Sequence, residues 1–348
     1  MDDLEEKMES PRIHVYGQAD NFNGWGLHTS QAVNILSKRA SVSFSHHTSD
    51  LYGGPVAHPY GHRPDGSCVL QISPITTDVI DGAIVWTMHE SSHILPECVS
   101  YLQKAKAILV PSMWNLHGFV QSGVTRPIYL ARLGFDETIF QFEPKFKRDV
   151  YTFGAGGSIS GAGQRKEVQK IVDAFHKLDL SWAQLSLKLM PWDNINTHAD
   201  PRIDVYKEVW SDQWVAKWYH TLDCFVSASR GEGVGLMPLQ AMVCGCDVMA
   251  PLYGGHLSYM HKSHVYDLPF GIIEASGFYI SGQQCYIQLN DITNTMNRVA
   301  RFSRGESDES RLQRSQKRSK ELSHMTWTNS VHNVLDIINE VLLTSTTR

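Results

Sequence analysis

Several familiar features are missing from this 348-residue chain. No stretch approaches the ~18 consecutive apolar residues of a membrane-spanning helix. The first ten residues are acidic and polar, without the basic start and apolar core of a secretory leader. The expectation is a cytoplasmic protein with a loose tail over residues 1–10. Cysteine is scarce: Cys68, Cys98, Cys224, Cys244, Cys246 and Cys285 are too few for a disulfide scaffold, and the single close pair has no second pair at zinc-site spacing. They read as reduced, mostly buried thiols. There is no GxxxxGK[ST] phosphate loop and no D-x-D string. Neither sign of charge dominates: 31 Lys and Arg against 36 Asp and Glu leave a net −5, which disfavours a dedicated nucleic-acid binder. With 42% hydrophobic and 19% charged residues, the chain is not disordered and has material for two cores at ~150 residues per domain.

Short β-branched or apolar runs alternate with helical spacings. Strands are expected near 12–16, 42–44, 67–72, 83–86, 107–110 and 127–130, and helices over 27–37, 96–105 and 114–122. A charged, proline-containing segment, 142–149 (FEPKFKRD), marks a boundary, after which the pattern restarts. Strands are expected at 150–153, 184–190, 222–227 and 247–250. Helices are expected over 165–178, 211–220, 236–244, 291–303, 309–323 and 327–343. This is an α/β chain of two similar halves, with parallel sheets covered by helices. The halves are 11–145 and 149–325, followed by a last amphipathic helix within 326–348.

The clearest local feature is Ser229-Arg-Gly-Glu-Gly-Val-Gly-Leu-Met-Pro-Leu-Gln240, between a strand and a helix. Its glycines allow tight turns and close backbone approach, and the helix start favours an anion. Glu232 would repel that anion but suits neutral hydroxyls such as those of a sugar, and Gln240 could reach a second hydroxyl. An ordinary strand–turn–helix with a solvated Glu is the plain alternative. A second glycine loop, 153–163, precedes Arg165-Lys166, whose two cations suit a diphosphate; a surface linker with solvated cations fits equally well. His89-Glu90 follows the 84–86 strand, at the end of a sheet where open α/β folds bind ligands. The string His89-Glu-Ser-Ser-His93 also matches a zinc-protease pattern, but Pro96 and the serines argue against the helix that pattern needs.

Together these segments resemble the retaining glycosyltransferases of family four, which have the GT-B fold of two Rossmann-like domains facing a cleft. The family's E-x7-E motif is matched by Glu232 and, in place of its second Glu, Gln240. Gly24-Trp-Gly26 is similar to the N-terminal glycine loop, Thr87 to Ser91 to T-x-x-E-S, Leu133 to Glu137 with Phe140 to GVDxxxF, and Lys166 to the phosphate lysine before an IxAF helix. The family's Arg in the preceding loop is absent, and Arg165, Ser158 or backbone amides would replace it.

The resemblance implies transfer of a sugar, with retention, from a nucleoside diphosphate sugar to an acceptor hydroxyl of a glycan or glycoconjugate. The expected donor is a UDP- or GDP-sugar, with no bound cofactor and no metal. His89, Glu232 and Lys166 become the candidate catalytic residues. Gly24, Gly26, Gly154, Ser158, Arg165, Lys166, Glu232, Gly233, Val234, Gly235, Leu236 and Gln240 would bind donor, and Trp25 and Glu90 would face the acceptor. The last helix would cross back to the first domain. The basic run 309–320 suggests a peripheral contact with an anionic surface, against the plain reading of a solvated face. Competing functions are glycosylation of a modified nucleic-acid base, sugar-nucleotide binding with little catalysis, a phosphorylase or an epimerase.

Overall fold

The computed structural model describes residues 11–18, 24–46, 63–276 and 281–346; the 1–10 tail lies outside them. The first half builds a six-stranded sheet from β1 (Arg12–Gly17), β2 (Ser41–His46), β3 (Cys68–Ile72), β4 (Ile84–Trp86), β5 (Ala107–Val110) and β6 (Ile128–Leu130), all parallel, in the order β2-β1-β3-β4-β5-β6. Helices α1 (Gly24–Leu36), α2 (Pro96–Leu102) and α3 (Met113–Gln121) connect them. The period of two sorts each strand between two layers. In β5, Ala107 and Leu109 join the core layer that also holds α1, while Ile108 and Val110 join the layer under α2 and α3.

The second half repeats the plan. Its strands are β7 (Tyr151–Gly156), β8 (Ala183–Leu189), β9 (Ile203–Lys207), β10 (Cys224–Val226), β11 (Asp247–Ala250) and β12 (Tyr266–Asp267), again parallel. The spatial order β9-β8-β7-β10-β11-β12 is the doubly wound order 3-2-1-4-5-6. Its direction reverses between β7 and β10, so the crevice beyond their carboxyl ends is the place for a ligand. Helices α4 (Val168–His176), α5 (Asp212–Thr221) and α6 (Leu236–Val243) flank the sheet, and an antiparallel hairpin, β13 (Gly271–Glu274) with β14 (Gln283–Tyr286), follows.

Three long helices close the chain: α7 (Leu289–Gly305), α8 (Asp308–Leu322) and α9 (Trp327–Thr346). Helix α9 lies on the first half. The amide of Trp327 donates to Phe135 O at 2.9 Å, and Asn333 Nδ2 to Leu130 O at 3.0 Å. His28 of α1 meets the ring of Trp86 edge-on at 4.1 Å and stacks 5.6 Å from Trp327. Burial pushes its pKa down to about 3, so it packs as a neutral aromatic. One continuous core therefore runs from Trp86 through Trp327 and Phe140 to Tyr219 and Val234.

Several expectations need correction. Gly24, Trp25 and Gly26 form the first turn of α1 rather than a loop. Strand β7 continues through Gly154, which is therefore a packing glycine: a Cβ there would stand 2.1 Å from Leu222 Cδ1. The helix read over 165–178 begins at Val168; Arg165 and Lys166 close a 3-10 turn (Gly161–Lys166), and Glu167 sits at φ 52 between the two. The basic run 309–320 is not a solvated face. Arg311 pairs with Asp223 at 3.2 Å, and Arg318 with Asp247 at 3.0 Å, beside a second arginine, Arg314, on Asp247. The outward cations are Lys317 and Lys320.

Candidate functional site

The β7 and β10 carboxyl ends carry the two glycine loops singled out in the sequence, and the fold brings their charged residues together. Arg165 Nη2 donates to Glu232 Oε2 at 2.9 Å, and Lys166 Nζ to Glu232 Oε1 at 3.1 Å. Glu90, from the segment after β4 in the other half, accepts from the same Arg165 nitrogen at 3.3 Å. The remaining Arg165 donors are also used: Nε on Gly231 O at 2.9 Å and Nη1 on Ala162 O at 3.0 Å. Arg165 thus ties the 3-10 turn, the 229–235 loop and the first domain into one cluster. Glu167 has a left-handed backbone, and its carboxylate pairs with Lys170 at 3.2 Å and Arg230 at 3.4 Å; backbone strain of this kind costs about 1–3 kcal/mol and collects at working sites.

Burial alone would raise the pKa of Glu232. Arg165 and Lys166 outweigh it and hold the carboxyl well below the usual range, so it is an ionised, acceptor-only group. Burial pushes His89 down to about 4, opposed by a hydrogen bond to the His93 backbone and assisted by Arg165. Its imidazole is neutral at pH 7, with Nε2 2.6 Å from Ser91 Oγ. Asn115 Nδ2, at the start of α3, holds the His89 carbonyl at 2.7 Å.

The turn leading into α6 requires its glycines. Gly235 is the N-cap at φ 82, and a Cβ would fall 2.5 Å from His256 Nε2. Tyr259 Oη donates to Gly235 O at 2.6 Å from below. His256 is buried, with Nδ1 3.3 Å from Pro251 O and Nε2 without a partner among the described residues. At Gly231 a Cβ would stand 2.0 Å from Glu90 O, so the two halves meet there backbone to backbone. The hairpin extends this seam: Ser92 N donates to Gln283 O at 3.0 Å, Gln283 N to Ser92 Oγ at 2.8 Å, and Gln284 Nε2 to Glu90 O at 3.2 Å.

The remaining predicted residues divide. Gly233 and Val234 are buried in the turn, and Leu236, half-buried, starts α6. Ser158 lies in the first glycine loop, which Asp193 holds by accepting from Ile159 N at 3.2 Å and Ser160 Oγ at 2.7 Å. Gln240 is buried in α6, its Oε1 accepting from Tyr219 Oη at 3.3 Å. Gly24, Trp25 and Gly26 belong to α1, which packs on β1, β2, β3 and α9. Sequence reasoning missed Asp193, Asn115, His256 and the Gln283–Gln284 edge. Only Asp193, at the turn after β8, carried a local signal. Residues 89–93 form an irregular loop in which His93 Nδ1 meets Ser92 Oγ at 2.8 Å, and among the described residues no group of three His, Cys, Asp or Glu is placed to hold a metal ion. No described helix is long and apolar enough to cross a membrane.

Residues 153–265 match the family model described as glycosyl transferases group 1. No curated protein matches the chain. Solved structures share the fold at low identity. Sucrose-phosphate synthase from Thermosynechococcus elongatus has TM-score 0.68 and 12% identity, covering 96% of this chain and 100% of that one. Anabaena HepE, in complex with UDP-glucose, has 0.66 and 11%, covering 94% and 99%. WaaG, a glycosyltransferase involved in lipopolysaccharide biosynthesis, has 0.64 and 12%, covering 94% and 99%. The fold of this chain is GT-B.

Proposed function

We propose that this chain transfers a sugar from a nucleoside diphosphate sugar to an acceptor hydroxyl, with retention of configuration and no metal ion. The observation that carries this reading is the buried Glu232, clamped by Arg165 and Lys166 beside the start of α6 at the switch point of the second sheet. The match of residues 153–265 to glycosyl transferases group 1 supports it. So does the fold shared with HepE, whose structure holds UDP-glucose.

The chemistry follows from those charges. Lys166 and the amides opening α6 meet the charge that grows on the departing diphosphate. The ionised Glu232 accepts hydrogen bonds from hydroxyls of the donor sugar. Neutral His89, its Nε2 held against Ser91 Oγ, borders the reacting centre and is a poor base at pH 7. Both cations near Glu232 lower its basicity, which disfavours it as a covalent nucleophile. The acceptor hydroxyl therefore attacks from the face the diphosphate leaves, and a phosphate oxygen takes its proton. The first domain, through Glu90 and Trp25, holds the acceptor, a glycan or glycoconjugate in the cytoplasm. Lys317 and Lys320 are the residual cations for an anionic surface contact. A second reading, sugar-nucleotide binding with little turnover, is favoured by Gln240, whose Oε1 faces Tyr219 within the fold.

The test is turnover in EDTA with UDP-, GDP-, ADP- and dTDP-sugars and a panel of hydroxyl acceptors, reading nucleotide release and the anomeric proton coupling of the product. Transfer with the donor's own configuration is expected. Donor binding without product would favour the second reading, and an inverted product would refute retention.

A further inference from the structure

We propose that Lys188 supplies a further cation to the diphosphate of the donor, alongside Lys166; this rests on the sugar-nucleotide reading above. The charges gathered at Glu232 cancel. Arg165 and Lys166 face Glu232 and Glu90, two cations against two carboxylates, so the cluster has no excess positive charge for a diphosphate. Arg165 also spends its other donors on the carbonyls of Gly231 and Ala162.

Lys188 lies one residue from the carboxyl end of β8, paired in register with Gly156 of β7. A Cβ on Gly156 would stand 3.3 Å from Lys188 Cβ. A Cβ on the next residue, Gly157, would stand 3.0 Å from Lys166 Cδ and 3.4 Å from Met237 Sδ in the first turn of α6. Two consecutive residues without side chains thus gather both lysine stems and the α6 start around one strand end. Ser186, two residues earlier on the same face of β8, accepts from Trp218 Nε1 at 2.7 Å, which places that face under α5.

Among the described residues no carboxylate pairs with this charge. Lys188 is half-buried and forms no ion pair among the described residues, and its hydrogen-bond partner there is the weak acceptor Met190 Sδ at 3.8 Å. Asp193, the carboxylate acting on it, is committed to Met190 N, Ile159 N and Ser160 Oγ. Burial lowers the lysine pKa, the mark of an ammonium held without full compensation. A diphosphate seated between Lys166 and the α6 start would compensate it.

Calorimetry in EDTA with UDP, GDP, ADP and dTDP tests this on the intact chain. The nucleotide bound by the wild type should bind Lys188→Met about 10- to 100-fold more weakly, as for loss of one charge-assisted hydrogen bond. Lys188→Arg should stay within a few-fold of wild type. The salt dependence of binding should be shallower in Lys188→Met, a change that a purely structural role would not produce. Lys188→Gln gives the same reading if the methionine variant does not fold. Wild-type affinity in the charge-removing variant, beside weakened binding in Lys166→Ala, overturns the proposal. So does weakened binding with an unchanged salt slope. Failure of the wild type to bind any of the four nucleotides overturns the sugar-nucleotide reading itself, and this proposal with it.

Discussion

Glu232→Ala removes the carboxylate at the centre of the cluster, and its cost can be worked from the distances. At 2.9 Å to Arg165 and 3.1 Å to Lys166, each attraction is about 5–6 kcal/mol at an effective dielectric of about 20, before desolvation. Desolvation offsets much of this, and breaking a buried pair from one side costs about 3–5 kcal/mol net. Arg165 keeps Glu90 at 3.3 Å and two carbonyls, which puts the expected loss at the lower end, about 3 kcal/mol. Urea unfolding at pH 7 of wild type, Glu232→Ala, Arg165→Met and the double variant measures it, and the cycle should show the two single losses overlapping. Because the folded pKa of Glu232 lies below its unfolded value, the stabilisation is complete above the ordinary glutamate pKa of about 4.3. It is lost as pH falls through the lower folded value. A Glu232→Ala protein within about 1 kcal/mol of wild type at pH 7, or a gap that widens in acid, would refute the buried clamp.

Gly235→Ala places a side chain at φ 82 and 2.5 Å from His256 Nε2. It should cost more than about 1 kcal/mol in chemical denaturation. Gly24→Ala, with open space around it, should stay within about 0.5 kcal/mol. His89, held down to about 4, should show no titration between pH 5 and 8 in imidazole NMR. Asp247→Asn deprives the buried Arg318 of its carboxylate and should destabilise by about 3–5 kcal/mol, with faster amide exchange in α8.

The alternating α/β order was legible because each central strand is a short apolar run whose two faces are both covered, as in β5 and β11. The Glu232 loop was legible because glycines at a strand–helix junction have few other uses. The geometry at Arg165 and Lys166 was not, since it turns on one left-handed residue, Glu167, inside a pattern with helical spacing. Strand β9 escaped notice as a mostly exposed edge strand with no apolar run, and the β13–β14 hairpin as two four-residue strands, one largely exposed and the other opening on two glutamines. The arginines of α8 looked solvated because their partners Asp223 and Asp247 lie some 70 to 90 residues earlier, at the starts of strands. Gly154 read as a loop residue because a glycine packed in a strand under Leu222 and a glycine of a loop are identical in sequence.

The proposed donor site is the Glu232–Lys166 crevice, holding a nucleoside diphosphate sugar without metal. Isothermal calorimetry in EDTA with UDP-, GDP-, ADP- and dTDP-glucose, on wild type and Lys166→Ala, tests it most directly. Saturable binding of one donor, weakened about tenfold or more by Lys166→Ala, is predicted. A folded wild-type protein that binds none of them at millimolar concentration, or a donor whose affinity ignores Lys166, would contradict it.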